Sequence, residues 1–304
     1  MLPAARKAAY FAHALGYAAR RRFSAGRQEA FIGGLVLNGI CNLACRHCRP
    51  ADGPAPDLSF RQAASGLRRL RRRGIRSLFI EGGEPFLWRD GNLGLEDVIR
   101  EARKCGFYAV FVYTNGTFPL ESRADTLFVS LDGVKEHNDA LRGPVHDKVL
   151  ANIAASGHPN LVVNSTINAV NAGGLERFCA EISGLPKVRG VFFNFHTPYY
   201  GRDELFLPLE ERREAARRLL ALKKSGARVL NSAAGLRAVI RDDWKRPSDL
   251  CLIYAGGWLY RCCRARGSGE VCADCGYLGG LELQAALDLS PGALLGALEY
   301  LPRL

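Results

Sequence analysis

The sequence predicts an α/β protein built on a parallel sheet, and three observations lead there. Short apolar strand-like runs alternate with longer helical patterns across residues 30 to 230. At 304 residues and 48% hydrophobic, the chain can bury one large core, and α/β barrels of this size commonly form a single domain. No internal repeat or low-complexity linker interrupts the alternation, and no long disordered tail is expected.

Strands are predicted at Ile32 to Leu37, Ser77 to Ile80, Tyr108 to Tyr113, Leu127 to Leu131, Leu161 to Ile167 and Val191 to Phe195. Helical patterns cover Leu58 to Arg73, Leu95 to Cys105, Asn138 to Ala155 with a break at Gly143-Pro144, Leu175 to Ile182, and Pro208 to Lys224 after the sixth strand. The first 23 residues also read as a helix, with Tyr10, Phe11, Leu15, Tyr17 and Ala18 on one side and basic residues at both ends. A secretory signal is not expected there, because His13 interrupts an apolar run far shorter than a spanning helix. Such a helix suits either a membrane surface or the bottom of a barrel.

Ten cysteines are distributed unevenly: three lie at Cys41, Cys45 and Cys48, and five between Cys251 and Cys275. Clustering of this kind argues against an evenly stapled secreted protein and for a reducing, cytoplasmic setting. Cys105 and Cys179 fall in helical patterns and read as buried apolar side chains. A 4Fe-4S cluster takes four thiolates, and the run ICNLACRHCRP supplies three, so one iron would keep a position for a ligand that is not protein. A zinc knuckle fits less well, since zinc sites pair Cys-x2-Cys with a second such pair close by.

That spacing resembles the radical S-adenosylmethionine (SAM) superfamily, and a second segment agrees. The predicted strand RSLFI runs into Glu81, then Gly82, Gly83, Glu84 and Pro85, similar to the family's GGEP motif. The resemblance implies a partial (β/α)6 TIM-type barrel over residues 30–230, an amphipathic basic helix over 1–29, and a small Cys-rich extension over 231–304. It also implies that Cys41, Cys45 and Cys48 hold the cluster, and that the glycines let the backbone approach the SAM methionine. His47 stands where the family usually has an aromatic or apolar residue, and an imidazole can still pack beside an adenine. Thr114, Asn115 and Gly116 resemble the TNG segment beside the SAM. Ser130 and Asp132 in VSLDG are placed to hydrogen-bond a ribose, with an ordinary strand-end turn as the alternative. Asn164 interrupts an apolar strand and reads as either a SAM contact or a satisfied core amide. His137 and Arg142 are expected to stabilise their loop, and His196 at the mouth is as readily a packing residue as an acid or base.

Toward the C-terminus, Cys251, Cys262, Cys272 and Cys275 resemble a shortened SPASM or twitch region. They imply an auxiliary 4Fe-4S cluster, with structural zinc as the alternative and Cys263 as a substitute ligand or bystander. A reducing partner such as flavodoxin or ferredoxin would then be required. The net charge of +12, densest over Arg68 to Arg76, suits either a solvated helix face or attraction to anionic lipid, placing the protein peripherally at the inner membrane face; nucleic acid is not an expected partner. A looser similarity in layout, including Val229, Leu230, Asn231 and Ser232, points to the radical SAM enzymes that modify hopanoid and other polyprenoid lipids. It implies a small apolar substrate. The alternatives are a maturase acting on a peptide or protein side chain and a non-enzymatic iron-sulfur electron carrier.

Overall fold

A computed structural model describes residues 4–23, 30–48, 56–246, 248–262 and 269–288. Helix α1 (Ala4–Phe23) is followed by β1 (Ile32–Val36), α2 (Phe60–Arg72), β2 (Ser77–Glu81), α3 (Leu95–Lys104), β3 (Ala109–Thr114) and β4 (Thr126–Ser130). Next come α4 (Lys135–Arg142), α5 (His146–Ala155), β5 (Leu161–Ile167), α6 (Leu175–Ser183), β6 (Val188–Phe195) and α7 (Leu209–Lys224). Strands β1 to β6 lie in sequence order and all pair in parallel, as the partial barrel requires. The break expected at Gly143-Pro144 separates α4 from α5, where Gly143 takes φ +83°.

Helix α2 shows how local sequence sets these elements. Ser59 caps it, its side chain accepting from Gln62 N while the Gln62 side chain accepts from Ser59 N, a reciprocal box worth about 1 kcal/mol. Its inward residues Leu67 and Leu70 join Leu35, Leu78 and Ile80 in one fully buried core, each contributing roughly 1.5–3 kcal/mol. Part of its basic run is already committed: Arg69 donates to Gly257 O at 2.8 Å and lies over the Tyr254 ring.

Beyond residue 230 the chain returns to the barrel. After α8 (Ala233–Arg241), strand β7 (Cys251–Ala255) joins the free side of β1 in parallel, with Cys251 opposite Ile32. Strand β8 (Trp258–Arg261) then folds back antiparallel. The turn between them is Gly256-Gly257, at φ +55° and +89°, the double positive φ that a tight two-residue hairpin demands. The short helix α9 (Gly269–Ala273) and then α10 (Leu278–Leu287) follow. Helix α10 packs on β6, α8 and α1 and so covers the open side of the sheet.

Helix α1 caps the lower end of the barrel, where the strands begin. Tyr17 and Ala18 are buried with Phe31, Leu250 and Leu287. The Tyr17 and Phe31 rings meet edge-on at 5.0 Å, and His13 stacks on Phe31 at 5.6 Å. Burial, reinforced by Arg76, Arg20 and Arg71, pushes the His13 pKa down to about 4. Arg6 and Arg103 both pair with the buried Asp125, and Arg21 reaches Gln284 on α10 at 2.7 Å. Of the two readings of this helix, the cap accounts for Tyr10, Tyr17 and Ala18, whereas Leu15 and Phe23 remain 62% and 82% exposed. Among the described residues no helix is long and apolar enough to cross a membrane.

Candidate functional site

The upper end of the barrel is built from two loops locked together. After β1, the buried Asn38 donates from Nδ2 to Glu84 O at 3.0 Å and Ile40 O at 3.2 Å. Gly83 N and Glu84 N in turn donate to Asn38 O and Ile40 O, each at 2.8 Å. A Cβ on Gly82 would lie 2.2 Å from Asn38 Oδ1, and one on Gly83 would lie 2.1 Å from Ile40 O. Glycine is therefore required here for the cysteine loop to seat against β2, in addition to any approach to a ligand.

Glu84 is fully enclosed and acts as the joint of this end. Its Oε1 accepts from Thr114 Oγ1 at 2.9 Å and Phe86 N at 3.0 Å, and its Oε2 accepts from Asn115 N at 2.6 Å. Burial raises its pKa above the usual carboxylate range, opposed by those three hydrogen bonds to the charged form. Pro85 then opens a single turn of 3₁₀ helix. Neither side chain lines the cavity below, so both frame the site from outside it.

Cys41, Cys45 and Cys48 line one wall of that cavity together with Gly82, Gly83, Thr114, Asn115, Ser130 and Asn164. Two side chains donate to the sulfurs: Asn115 Nδ2 lies 3.7 Å from Cys41 Sγ and Arg142 Nη1 lies 3.9 Å from Cys45 Sγ. Burial pushes the Cys45 thiol up to about 11, with Arg142 opposing the rise. Three thiols on one cavity wall, two of them exposed and two reached by N–H donors, fit an iron-sulfur cluster. Among the described residues no group of three or more His, Cys, Asp or Glu side chains is placed to hold a metal ion.

Asp132 departs from its expected place at a ribose. It is fully buried and does not line the cavity. Its Oδ1 accepts from Thr166 N at 2.6 Å, and its Oδ2 accepts from Arg142 Nε at 2.6 Å with His47 Nε2 at 3.4 Å. The carboxylate ties the cysteine loop to β5 and α4, and Leu141 O strengthens that tie by accepting from Arg46 N at 2.9 Å. His47 lines the cavity, its pKa pushed by burial to about 4. Asn164 also does two things: it faces the cavity, and its Oδ1 accepts from Asn194 Nδ2 at 3.1 Å. His196 is buried, with Nε2 3.1 Å from Asp203.

The C-terminal cysteines fall into two adjacent pairs. Cys262, at φ +63°, donates from its backbone N to Cys251 O at 2.9 Å, and both line the cavity. Cys275 N donates to Cys272 O at 3.2 Å, and the next residue is stitched to the barrel mouth, Gly276 O accepting from Phe195 N at 2.8 Å. Buried Arg212 clamps this segment, donating to Asp274 O and His196 O at 2.9 Å each. Cys263 lies outside the described residues. No single-ion zinc site is assembled from the described cysteines.

The cavity has a volume of about 750 Å³ and extends from the cysteine loop down to α1 and α10. Its middle is ringed by Phe79, Tyr113, Phe128, Phe192 and Ile253. Tyr113 stacks on Phe128 at 4.7 Å and meets Phe79 edge-on at 6.0 Å.

The family model for the radical SAM superfamily matches residues 35–188. The chain is 31% identical over 216 residues to the pre-heme d1 synthase of Dinoroseobacter shibae, covering 66% of this chain and 51% of that protein. It is 39% identical over 115 residues to the GTP 3',8-cyclase of Parasynechococcus marenigrum, covering 33% of each. The chain thus spans about half of the first relative's length and a third of the second's. In architecture it is similar to anSMEcpe, solved with bound AdoMet and a Kp18Cys peptide. The TM-score is 0.57 at 16% identity, covering 76% of this chain and 74% of that one.

Proposed function

The chain belongs to the radical SAM superfamily and is an enzyme, and on the geometry of its barrel we propose that it carries out SAM-dependent radical chemistry on an apolar substrate of the polyprenoid or membrane-lipid kind. One observation carries this reading: three thiols open onto the upper end of a cavity whose middle and lower walls are aromatic and aliphatic. Membership of the family brings a 4Fe-4S cluster and SAM as cofactors and excludes a simple electron carrier.

Cys41, Cys45 and Cys48 would hold the cluster, while Gly82, Gly83, Thr114, Asn115, Ser130 and Asn164 would line the SAM site, with Glu84 and Pro85 fixing that wall. When bound, these cofactors supply a one-electron cleavage of SAM that yields a 5′-deoxyadenosyl radical able to attack an unactivated carbon. The protein's own part is positional. Asn115 and Arg142 orient two sulfurs, Asp132 braces the loop that bears them, and the aromatic ring of the cavity keeps water from the reacting carbon. Cys251, Cys262, Cys272 and Cys275 are assigned to an auxiliary cluster in the region 231–304, and a flavodoxin or ferredoxin is the reductant. Exposed Arg20 and Arg22, beside exposed Leu15 and Phe23 on α1, suit peripheral contact with the anionic inner membrane face.

The test is anaerobic reconstitution with iron, sulfide, SAM and a reductant. Formation of 5′-deoxyadenosine, with deuterium transferred into it from labelled polyprenoid lipid, is the expected result. Deuterium arriving instead from a labelled peptide would replace the lipid reading with the maturase one, and no 5′-deoxyadenosine at all would overturn the activity.

A further inference from the structure

We infer that the lower half of the cavity is a channel for a single long apolar chain, entered beside Leu15 of α1 at the end of the barrel opposite the cysteine loop. This rests on the function proposed above and adds the direction in which substrate lies. The cavity is continuous from Cys41 and Gly83 at the strand ends to Ala14, Leu15, Ala286 and Leu287 beyond the strand starts. Leu15 lines it while being 62% exposed, so the lower end reaches the surface at α1. Barrels of this size are normally filled by their own side chains, so an open path of this depth is a binding feature. Five residues of β2 span about 13 Å at ~3.3 Å per residue, and the helical layer beneath adds roughly 10 Å.

The chemistry of the wall selects the occupant. Polar groups in its lower half are already paired within the protein: the Tyr113 and Tyr277 hydroxyls hydrogen-bond each other, and Glu282 Oε1 accepts from Ser232 N at 2.9 Å. A compact polar substrate pushed to this depth would leave its own donors and acceptors without partners, at a cost of about 1–3 kcal/mol each. An aliphatic or isoprenoid chain loses nothing there and gains burial along its whole length. Asn115, Ser130, Asn164 and His47 face the cavity at the top beside Cys41, Cys45 and Cys48, while Cys251 and Cys262 stand on one side of the wall near the start of β1. A chain entering from below would therefore present its leading carbon to the cofactor end.

The test uses the anaerobically reconstituted full chain and cis-parinaric acid, a fluorescent long-chain fatty acid, displaced by geraniol, farnesol and geranylgeraniol. Binding should saturate at one probe per chain, and each added isoprene unit should strengthen displacement by at least about tenfold. Ala14→Trp and Ala286→Trp, which fill the channel from its two helical walls, should weaken probe binding by at least about tenfold. Ala8→Trp, at an exposed position of α1 away from the cavity, should bind like the unmodified protein. Displacement independent of chain length in the unmodified protein, or binding indifferent to both fillers, overturns the channel. Formation of 5′-deoxyadenosine by the same preparation is scored separately: if it forms while length dependence is absent, the channel alone is wrong, and if it does not form, the activity itself is.

Discussion

Asp132, which does not line the cavity, and Arg142, which does, brace the cysteine loop together. The pair is almost wholly buried, and each partner serves the cysteine loop, one through His47 and the other through Cys45. Arg142→Met should leave a buried carboxylate without its cation, costing about 3–5 kcal/mol and lowering the iron retained per chain. Thermal unfolding and iron analysis of the purified variant check both, and an unchanged iron content would remove Arg142 from the support of the loop. Gly83→Ala should be as harmful for a different reason, since the added carbon meets the backbone of Ile40 and the cysteine loop must move. The cysteines and the Gly-Gly-Glu-Pro run were legible because their spacing is itself the chemical information. The setting of Asp132 is not legible in the sequence, because the partners of its carboxylate, Thr166 and Arg142, come from other elements and no local pattern announces them.

Among the elements, α1 was readable as an amphipathic helix, but the sequence could not say which surface its aromatic side meets. Phe31 settles that by taking both His13 and Tyr17. A pH dependence follows from the contact. The folded-state pKa of His13 lies below its ordinary value of 6.5, at about 4, so the folded chain favours the neutral ring. As pH falls from 6.5 toward 4 the unfolded chain gains a proton that the folded one resists, and stability is lost across that window, by no more than about 2 kcal/mol for a half-buried ring. His13→Phe should keep the stack and flatten this part of the stability profile, measured as unfolding midpoint against pH; an equally steep profile would show that the loss comes from elsewhere. The hairpin of β7 and β8 carried a clear signal in Gly256-Gly257 after an apolar run, yet the cysteines at its ends suggested a separate metal-binding extension instead. Strand β7 pairs with β1 because its apolar face completes the inner wall, where Ile253 packs beside Phe79 and Val36.

Across the whole molecule, the barrel brings two sets of cysteines to one cavity, the first at its upper end and Cys251 with Cys262 beside β1's start. If Cys251 and Cys262 hold a cluster together with Cys272 and Cys275, Cys272→Ala should remove about half of the iron while some uncoupled formation of 5′-deoxyadenosine persists, whereas any one of Cys41→Ala, Cys45→Ala or Cys48→Ala should abolish it. Alternation of strands and helices made the six-stranded core legible in advance, because each strand buries a continuous apolar run between layers. The seventh strand and the continuous cavity were not, since both depend on where a distant segment returns. The central claim is that three thiolates leave one iron open to SAM. Its most direct test is the electron paramagnetic resonance spectrum of the reduced, anaerobically reconstituted Cys272→Ala protein with and without SAM. A clear change in the signal on adding SAM is predicted, and a spectrum that stays the same at saturating SAM would contradict the account.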